Sequence, residues 1–307
     1  MPAERILVIK LSALGDIVQA MGAAAAVRAH HRGAAITFLT TAPYAELARQ
    51  APYFDAVWVD ERPGWSNPLG ILRLRRRLRA GRFDRVYDFQ TRLRSSLYRR
   101  LMREGNRPEW SGIAAGASHT HANPGRDRMH TLDRQDDQLR MAGIPGPVPL
   151  PDLSWAKADI ARFALPPDYV LLIPGGAAHR PAKRWPAQHY AALAARIVEA
   201  GMTPVVIGGP DERGLGKIIA GAAPGTRDLT GQTGYGDIAA LGRAARRAIG
   251  NDTGPMHLAV AGGAPATVLY STASDPELTA PRGRDIAILR VENLADLSIE
   301  AVAATLT

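Results

Sequence analysis

The chain has 307 residues, 46% hydrophobic and 22% charged, which fits a soluble globular protein with room for two domains. It carries no cysteine, which excludes disulfides and thiolate metal sites and fits a reducing compartment. A formal charge of +9 favours an anionic partner, although only four of the 38 basic residues are lysine, an arginine bias that a GC-rich genome also produces.

The opening MPAERILVIKLSALGD has an apolar run too short for a signal peptide. No later stretch reaches the roughly 18 apolar residues of a membrane span, so the chain reads as cytoplasmic. Strands are expected at 6–11, 36–41, 56–60 and 85–89, with helices over 17–30, 42–51 and 68–80 between them. KLSALGDIVQA passes from strand to helix at Gly15 and puts Asp16 at the helix mouth, to cap the helix or to face a ligand. His30 and His31 close that helix as partners of its negative end. Residues 62–107 carry fourteen arginines. A helix bearing Arg73, Arg76 and Arg77 suits anionic lipid headgroups. Arg94, following Gln90 past a strand end, and Arg126 and Arg128 in NPGRDRMH suit a carboxylate or phosphate. A solvated face is the plain alternative for most of them.

The prolines of GIPGPVPLPDLSW (143–155) read as a stiff linker between a domain of 1–150 and one of 151–307. Beyond it, strands are expected at 169–173, 203–207, 248–251 and 266–270, and helices at 186–200, 237–245 and 255–261. A last helix near 297–304 is expected to pack back on the first domain. The alternation implies an α/β chain of two doubly wound, Rossmann-like domains. Ligands then sit beyond the carboxyl ends of the strands, by default in a cleft between the domains.

Three turns of the second domain point to a phosphate and a sugar. In GNDTGPMH the amides of Thr253 and Gly254, at the positive start of a helix, favour an anion. Asp252 beside them either caps that helix or accepts from sugar hydroxyls. IPGGAAHRPAKRWP offers a loop at Gly175 able to fold over a ligand, and in Lys183 a counter-charge for a diphosphate. In VVIGGPDERG, Asp211 and Glu212 are both placed to hold a ribose, and either is also a plain N-cap. Thr233 in LTGQT can touch a base. No GxGxxG is present, which argues against NAD.

ILVIKLSALGDIVQA, KRWP, LTGQT and GNDTGPMHLA, in this order over nearly the whole chain, resemble glycosyltransferase family 9, the lipopolysaccharide heptosyltransferases and their relatives. The resemblance implies a GT-B fold, its two domains facing across a cleft, and an inverting transfer needing neither metal nor cofactor. The donor would be a nucleotide-sugar, ADP-heptose, in the C-terminal domain. The acceptor would be an anionic, lipid-linked saccharide, a Kdo- or heptose-bearing lipid A, in the N-terminal domain. Asp16 would be the general base and Lys183 would lie on the donor phosphates. Asp252 would meet the donor sugar, Thr253 and Gly254 the diphosphate, and His257 would support their loop. Ser12, Gln90, Arg94, Arg126 and Arg128 are the acceptor-side candidates. Such an enzyme would work at the inner face of the cytoplasmic membrane, in peripheral contact with its anionic surface. YSTASDPE (270–277) departs from the Phe-Gly-Pro-Thr-Asp-Pro common in relatives, which leaves the donor or acceptor open. Other readings are a family 9 transferase of different specificity and an epimerase on the same architecture. A nucleic-acid binder would need aromatics among its basic residues; aromatics are 6% of the chain and LRLRRRLR has none, so no nucleic acid is expected.

Overall fold

The structure is a computed structural model describing residues 3–64, 66–102, 107–177 and 179–306. It divides into two compact units, Met1–Pro151 and Asp152–Thr307. The first runs β1 (Arg5–Ile9), α1 (Leu14–His30), β2 (Ala35–Thr40), α2 (Ala42–Gln50), β3 (Ala56–Val59), α3 (Pro68–Ala80), β4 (Arg85–Asp88), α4 (Leu93–Met102), β5 (Glu109–Gly112), β6 (His119–Thr120) and α5 (Thr131–Met141). Its strands pair in parallel in the order β3-β2-β1-β4-β5-β6. Leu7, Ile9, Leu39, Val86 and Trp110 join Leu74 and Leu78 of α3 and Tyr98 of α4 in one core.

Small residues let α1 lie close to its neighbours. A Cβ on Gly22 would fall 2.0 Å from the Pro149 carbonyl oxygen, so the proline-rich stretch expected as a linker crosses α1. Val148 N also donates to Asp136 Oδ1 on α5 at 2.9 Å. The stretch up to Pro151 is therefore part of the first unit, because it covers α1.

The second unit runs β7 (Tyr169–Ile173), α6 (Ala187–Glu199), β8 (Thr203–Val206), α7 (Arg213–Ala222), β9 (Arg227–Asp228), α8 (Tyr235–Ala244), β10 (Arg247–Asn251), α9 (Gly254–Gly262), β11 (Ala266–Tyr270), α10 (Pro276–Thr279), β12 (Ile286–Arg290) and α11 (Ile299–Ala303). Its order is β12-β11-β10-β7-β8-β9, again all parallel. β7 and β11 are buried along their whole length, which is why YVLLI reads as an unbroken apolar run and ATVLY as one broken only by Thr267. Glycines bring α8 onto α9: a Cβ on Gly242 or Gly262 would lie 2.6 Å from Ala259 O or 2.2 Å from Ala239 O.

The final helix corrects an expectation. Leu297 and Val302 share a core with Tyr190, Leu193 and Ile197 of α6, so α11 packs within the second unit. Its short apolar face finds a partner there, on the unit whose last strand leads into it.

Both sheets follow the doubly wound order in which the first strand separates the second and third from the fourth onward. The winding reverses between β1 and β4 in one unit and between β7 and β10 in the other. Loops leaving those strands part to opposite sides and leave a crevice, where such folds bind ligands.

Candidate active site

In the second unit the reversal point gathers the turns after β7 and β10. Asn251, fully buried, joins them: its Nδ2 donates to Pro174 O (2.8 Å) and Gly175 O (3.1 Å). Its Oδ1 accepts from Trp185 N (3.0 Å) and the Tyr190 hydroxyl (3.1 Å). Thr253 is the N-cap of α9 and makes no side-chain cap bond, so Asp252 is not the cap. Its carboxylate turns instead to Lys183, whose Nζ lies 2.6 Å from Oδ2, both side chains being almost buried. The Tyr270 hydroxyl donates to Asp252 Oδ1 at 3.3 Å. Burial, then the Asp252 charge, push the Tyr270 pKa far up, so the phenol remains a donor. The lysine charge is thus held next to the positive end of α9, two features that favour the same anion.

The departure at 270–277 bears on this pair. Ser271 is buried and its hydroxyl donates to Ala182 O at 2.7 Å, bracing the turn that carries Lys183. Tyr270 and Ser271 open that stretch, so both hydroxyls that brace the Lys183–Asp252 pair belong to it.

The two acidic candidates after β8 separate. Asp211 is exposed. Glu212 reaches back into the glycine cradle, accepting from Gly176 N (2.9 Å) and Gly209 N (2.7 Å). A Cβ on Gly175 would lie 1.7 Å from Glu212 Oε1, which explains glycine there. The Arg184 guanidinium also holds Gly176 O. Thr233 Oγ1 is buried with no hydrogen-bond partner among the described residues, and His257 is buried in the second turn of α9.

In the first unit the reversal point brings Ser12, Asp16 and Gln90 together. Gln90 Oε1 accepts from Leu11 N (2.8 Å) and Ser12 N (3.2 Å), so that oxygen shapes the turn. Asp16 occupies the third position of α1 and accepts from Ala13 N at 3.0 Å. Its other oxygen is 3.8 Å from Nζ of buried Lys10, and the carboxylate stays 40% exposed, so capping and access to a ligand coexist. Lys10 also donates to Phe89 O at 3.1 Å. Burial lowers its pKa and Asp16 opposes that. Beneath the turn, buried Asp88 accepts from Gln90 N (3.0 Å) and Thr91 N (3.1 Å). Burial pushes its pKa up to about 6 against those hydrogen bonds.

The arginines divide. Arg134 on α5, which the sequence reading missed, is half-buried and feels the charges of Arg126, Asp16, Asp127 and Arg92. Arg126 joins this group, although one of its Nη atoms pairs with Asp127 at 2.7 Å. The loop bearing Arg126 and Arg128 is tied to α5 where Asp137 accepts from Asn123 and His121, both at 2.8 Å. Arg128 is exposed. Arg94 points elsewhere, to Pro63 O (3.1 Å) and the Tyr98 hydroxyl (3.5 Å). Arg77 lies over Trp58 and donates to Val59 O at 2.8 Å, so it braces α3 while its side chain stays exposed. His31 pairs with Glu4 and the Tyr87 hydroxyl, both at 2.8 Å.

The family model described as Glycosyltransferase family 9 (heptosyltransferase) matches residues 71–303. The chain is 26% identical to Lipopolysaccharide heptosyltransferase 2 of Salmonella typhimurium, over 94% of this chain and 88% of that protein. The solved structure of E. coli ADP-heptose lps heptosyltransferase II aligns with a TM-score of 0.81 at 22% identity, covering 98% of this chain and 97% of that one. E. coli heptosyltransferase WaaC with ADP aligns with a TM-score of 0.79 at 20% identity, covering 98% of each chain. The fold is GT-B, and the chain belongs to glycosyltransferase family 9 and is a glycosyltransferase.

Proposed function

We propose that the chain transfers a heptose from ADP-heptose to an anionic, lipid-borne inner-core saccharide of lipopolysaccharide, inverting the anomeric carbon without a metal ion. The observation that carries this reading is the Lys183–Asp252 pair at the mouth of α9, at the reversal point of the second sheet. A diphosphate seated there meets Lys183 and the amides of Thr253 and Gly254. Asp252 is left to accept from sugar hydroxyls. Glu212, within the glycine cradle, is the better placed of the two acids for the ribose, and the Thr233 hydroxyl, unpartnered among the described residues, suits the base or ribose edge. The name of the Salmonella relative and the ADP-bound E. coli enzyme support the choice of donor and acceptor.

In the reaction Asp16 takes the acceptor hydroxyl proton, the oxygen attacks the anomeric carbon, and the bond to the diphosphate breaks on the opposite face. The negative charge that develops on the leaving oxygen falls on Lys183 and the α9 amides. A preorganised donor of this kind typically contributes about 3 kcal/mol to the transition state. Lys10 and Arg134 bring positive charge to Asp16, and Arg92 and Arg126 add theirs around Arg134, which suits an acceptor carrying carboxylates or phosphates.

The test is turnover with ADP-heptose and a purified core-lipid acceptor. Asp16→Asn should lower kcat by about a hundredfold to ten-thousandfold while ADP still raises the melting temperature, the range that removing a general base costs. Lys183→Ala should weaken ADP binding and slow turnover together. Near wild-type turnover in Asp16→Asn removes the base assignment. Epimerised donor with no glycosylated lipid, or loss of turnover in EDTA, removes the reaction as written.

A further inference from the structure

The arginines of α3 and α4 remain outside the mechanism above. α3 and α4 pack on each other and together contain eight arginines and no acidic residue. α3 buries Gly70, Leu74 and Leu78 at helical spacing, which turns Leu69, Leu72, Arg73 and Arg76 outward. α4 buries Ser95, Tyr98 and Met102 and turns Leu93 and Arg100 outward. Leu69, Leu72 and Leu93 are 68%, 47% and 75% exposed, more than isolated leucines at helix ends explain, since they share two touching helices. A cavity of about 360 Å³ opens beside Leu93, with Leu97 and Ile113 as its apolar lining and Arg99 and Arg100 also among its walls.

Topology orients this surface. Every strand-to-helix turn of a parallel sheet lies at its carboxyl edge, so Leu69 and Leu93, in the first turns of α3 and α4, stand at the edge that carries Ser12, Asp16 and Gln90. The arginines follow further along each helix. An apolar tip backed by positive charge complements a layer with anionic headgroups over hydrocarbon. Single-stranded nucleic acid would instead call for exposed aromatic rings among the arginines, and these outward faces present leucine.

We propose that the outward faces of α3 and α4 dock on an anionic lipid surface, Leu69, Leu72 and Leu93 entering its apolar layer and Arg73, Arg76 and Arg100 meeting its phosphates. The proposal rests on the lipid-borne acceptor argued above and extends it, because it brings the edge holding Asp16 to the layer from which the acceptor projects.

The experiment is co-sedimentation of the full chain with vesicles of phosphatidylglycerol and phosphatidylethanolamine, against vesicles of phosphatidylcholine, over a range of salt. Binding confined to the anionic vesicles and weakened by salt is expected. Arg73→Gln/Arg76→Gln/Arg100→Gln should weaken it by about a hundredfold, at roughly fivefold per charge. Leu69→Ser/Leu93→Ser should weaken it about tenfold and leave the salt slope unchanged. Both variants should keep wild-type ADP-heptose turnover on a delipidated acceptor, which also shows that they fold. Equal binding to both vesicle types, wild-type binding by the arginine variant, or tighter binding to duplex DNA overturns the proposal. Vesicle binding without sugar transfer removes the transferase reading and leaves the docking face; transfer without vesicle binding does the reverse.

Discussion

Asp88 shows how one buried carboxylate shapes a site that it does not enter. It accepts from the amides of Gln90 and Thr91, and Gln90 in turn holds the turn at Leu11 and Ser12 that leads to Asp16. Those bonds favour the ionised form, and burial outweighs them, raising the pKa from 3.8 to about 6. Between these values the native chain binds more protons than the unfolded chain, so this group's contribution to stability falls as pH rises through that window. The change amounts to about 3 kcal/mol, at 1.36 kcal/mol per unit. Asp88→Asn has no such titration. Urea midpoints measured from pH 4 to 8 should therefore show wild type losing stability relative to the variant up to about pH 6 and running parallel above it. Parallel curves throughout would mean that Asp88 titrates normally. The shift also implies a cost borne for placement, since at neutral pH the ionised side chain still orders the turn that carries the base.

At the scale of elements, Asn251 does for the second unit what Gln90 does for the first. Four hydrogen bonds from one amide side chain fasten the turn after β7 to the start of α6. Asn251→Ala would leave buried partners unpaired, a loss of at least about 3 kcal/mol. At 2–4 °C per kcal/mol the melting temperature should drop by roughly 6–12 °C. ADP should bind more weakly as well, because the Gly175 turn loses its anchor. An unchanged melting temperature would show that the amide carries little. This role was not legible in the sequence, because Asn251 and its partners lie 61–77 residues apart. The central strands were legible, because burial on both faces writes them as apolar runs. So were the turns after β7, β8 and β10, because Gly, Pro and Asp cluster where those strands end. α5 was missed since TLDRQDDQLRM buries two glutamines in place of apolar residues, and Arg134 was lost with it. α7 was missed because RGLGKIIAGA is rich in glycine, which weakens any helical signal. The place of α11 was misjudged because an amphipathic pattern tells that a face is buried and not on what.

The molecule as a whole repeats one solution twice. Each unit has its own parallel sheet in the same winding order and its own buried core, so each has what a separately folding domain needs. The residues assigned to the donor (Gly175, Lys183, Glu212, Thr233, Asp252, Thr253 and Gly254) all belong to Asp152–Thr307, and Asp16 with its cluster of cations to Met1–Pro151. A ligand stabilises the part that must be folded to bind it, by RT ln(1 + [L]/Kd), about 2.7 kcal/mol at a hundredfold excess over Kd. For a unit of 156 residues, from Asp152 to Thr307, that corresponds to a rise of roughly 5–10 °C. Scanning calorimetry with ADP should therefore resolve two transitions and raise one of them by this amount. In Lys183→Ala the rise should shrink, while the ADP-insensitive transition stays in place. An Asp16→Asn chain should show the full rise in the same transition, because its substitution lies in the other unit. If ADP moved both transitions equally, the units would unfold as one cooperative body. If it moved the transition that Asp16→Asn perturbs, the donor would belong to the first unit and the division of labour argued here would be reversed.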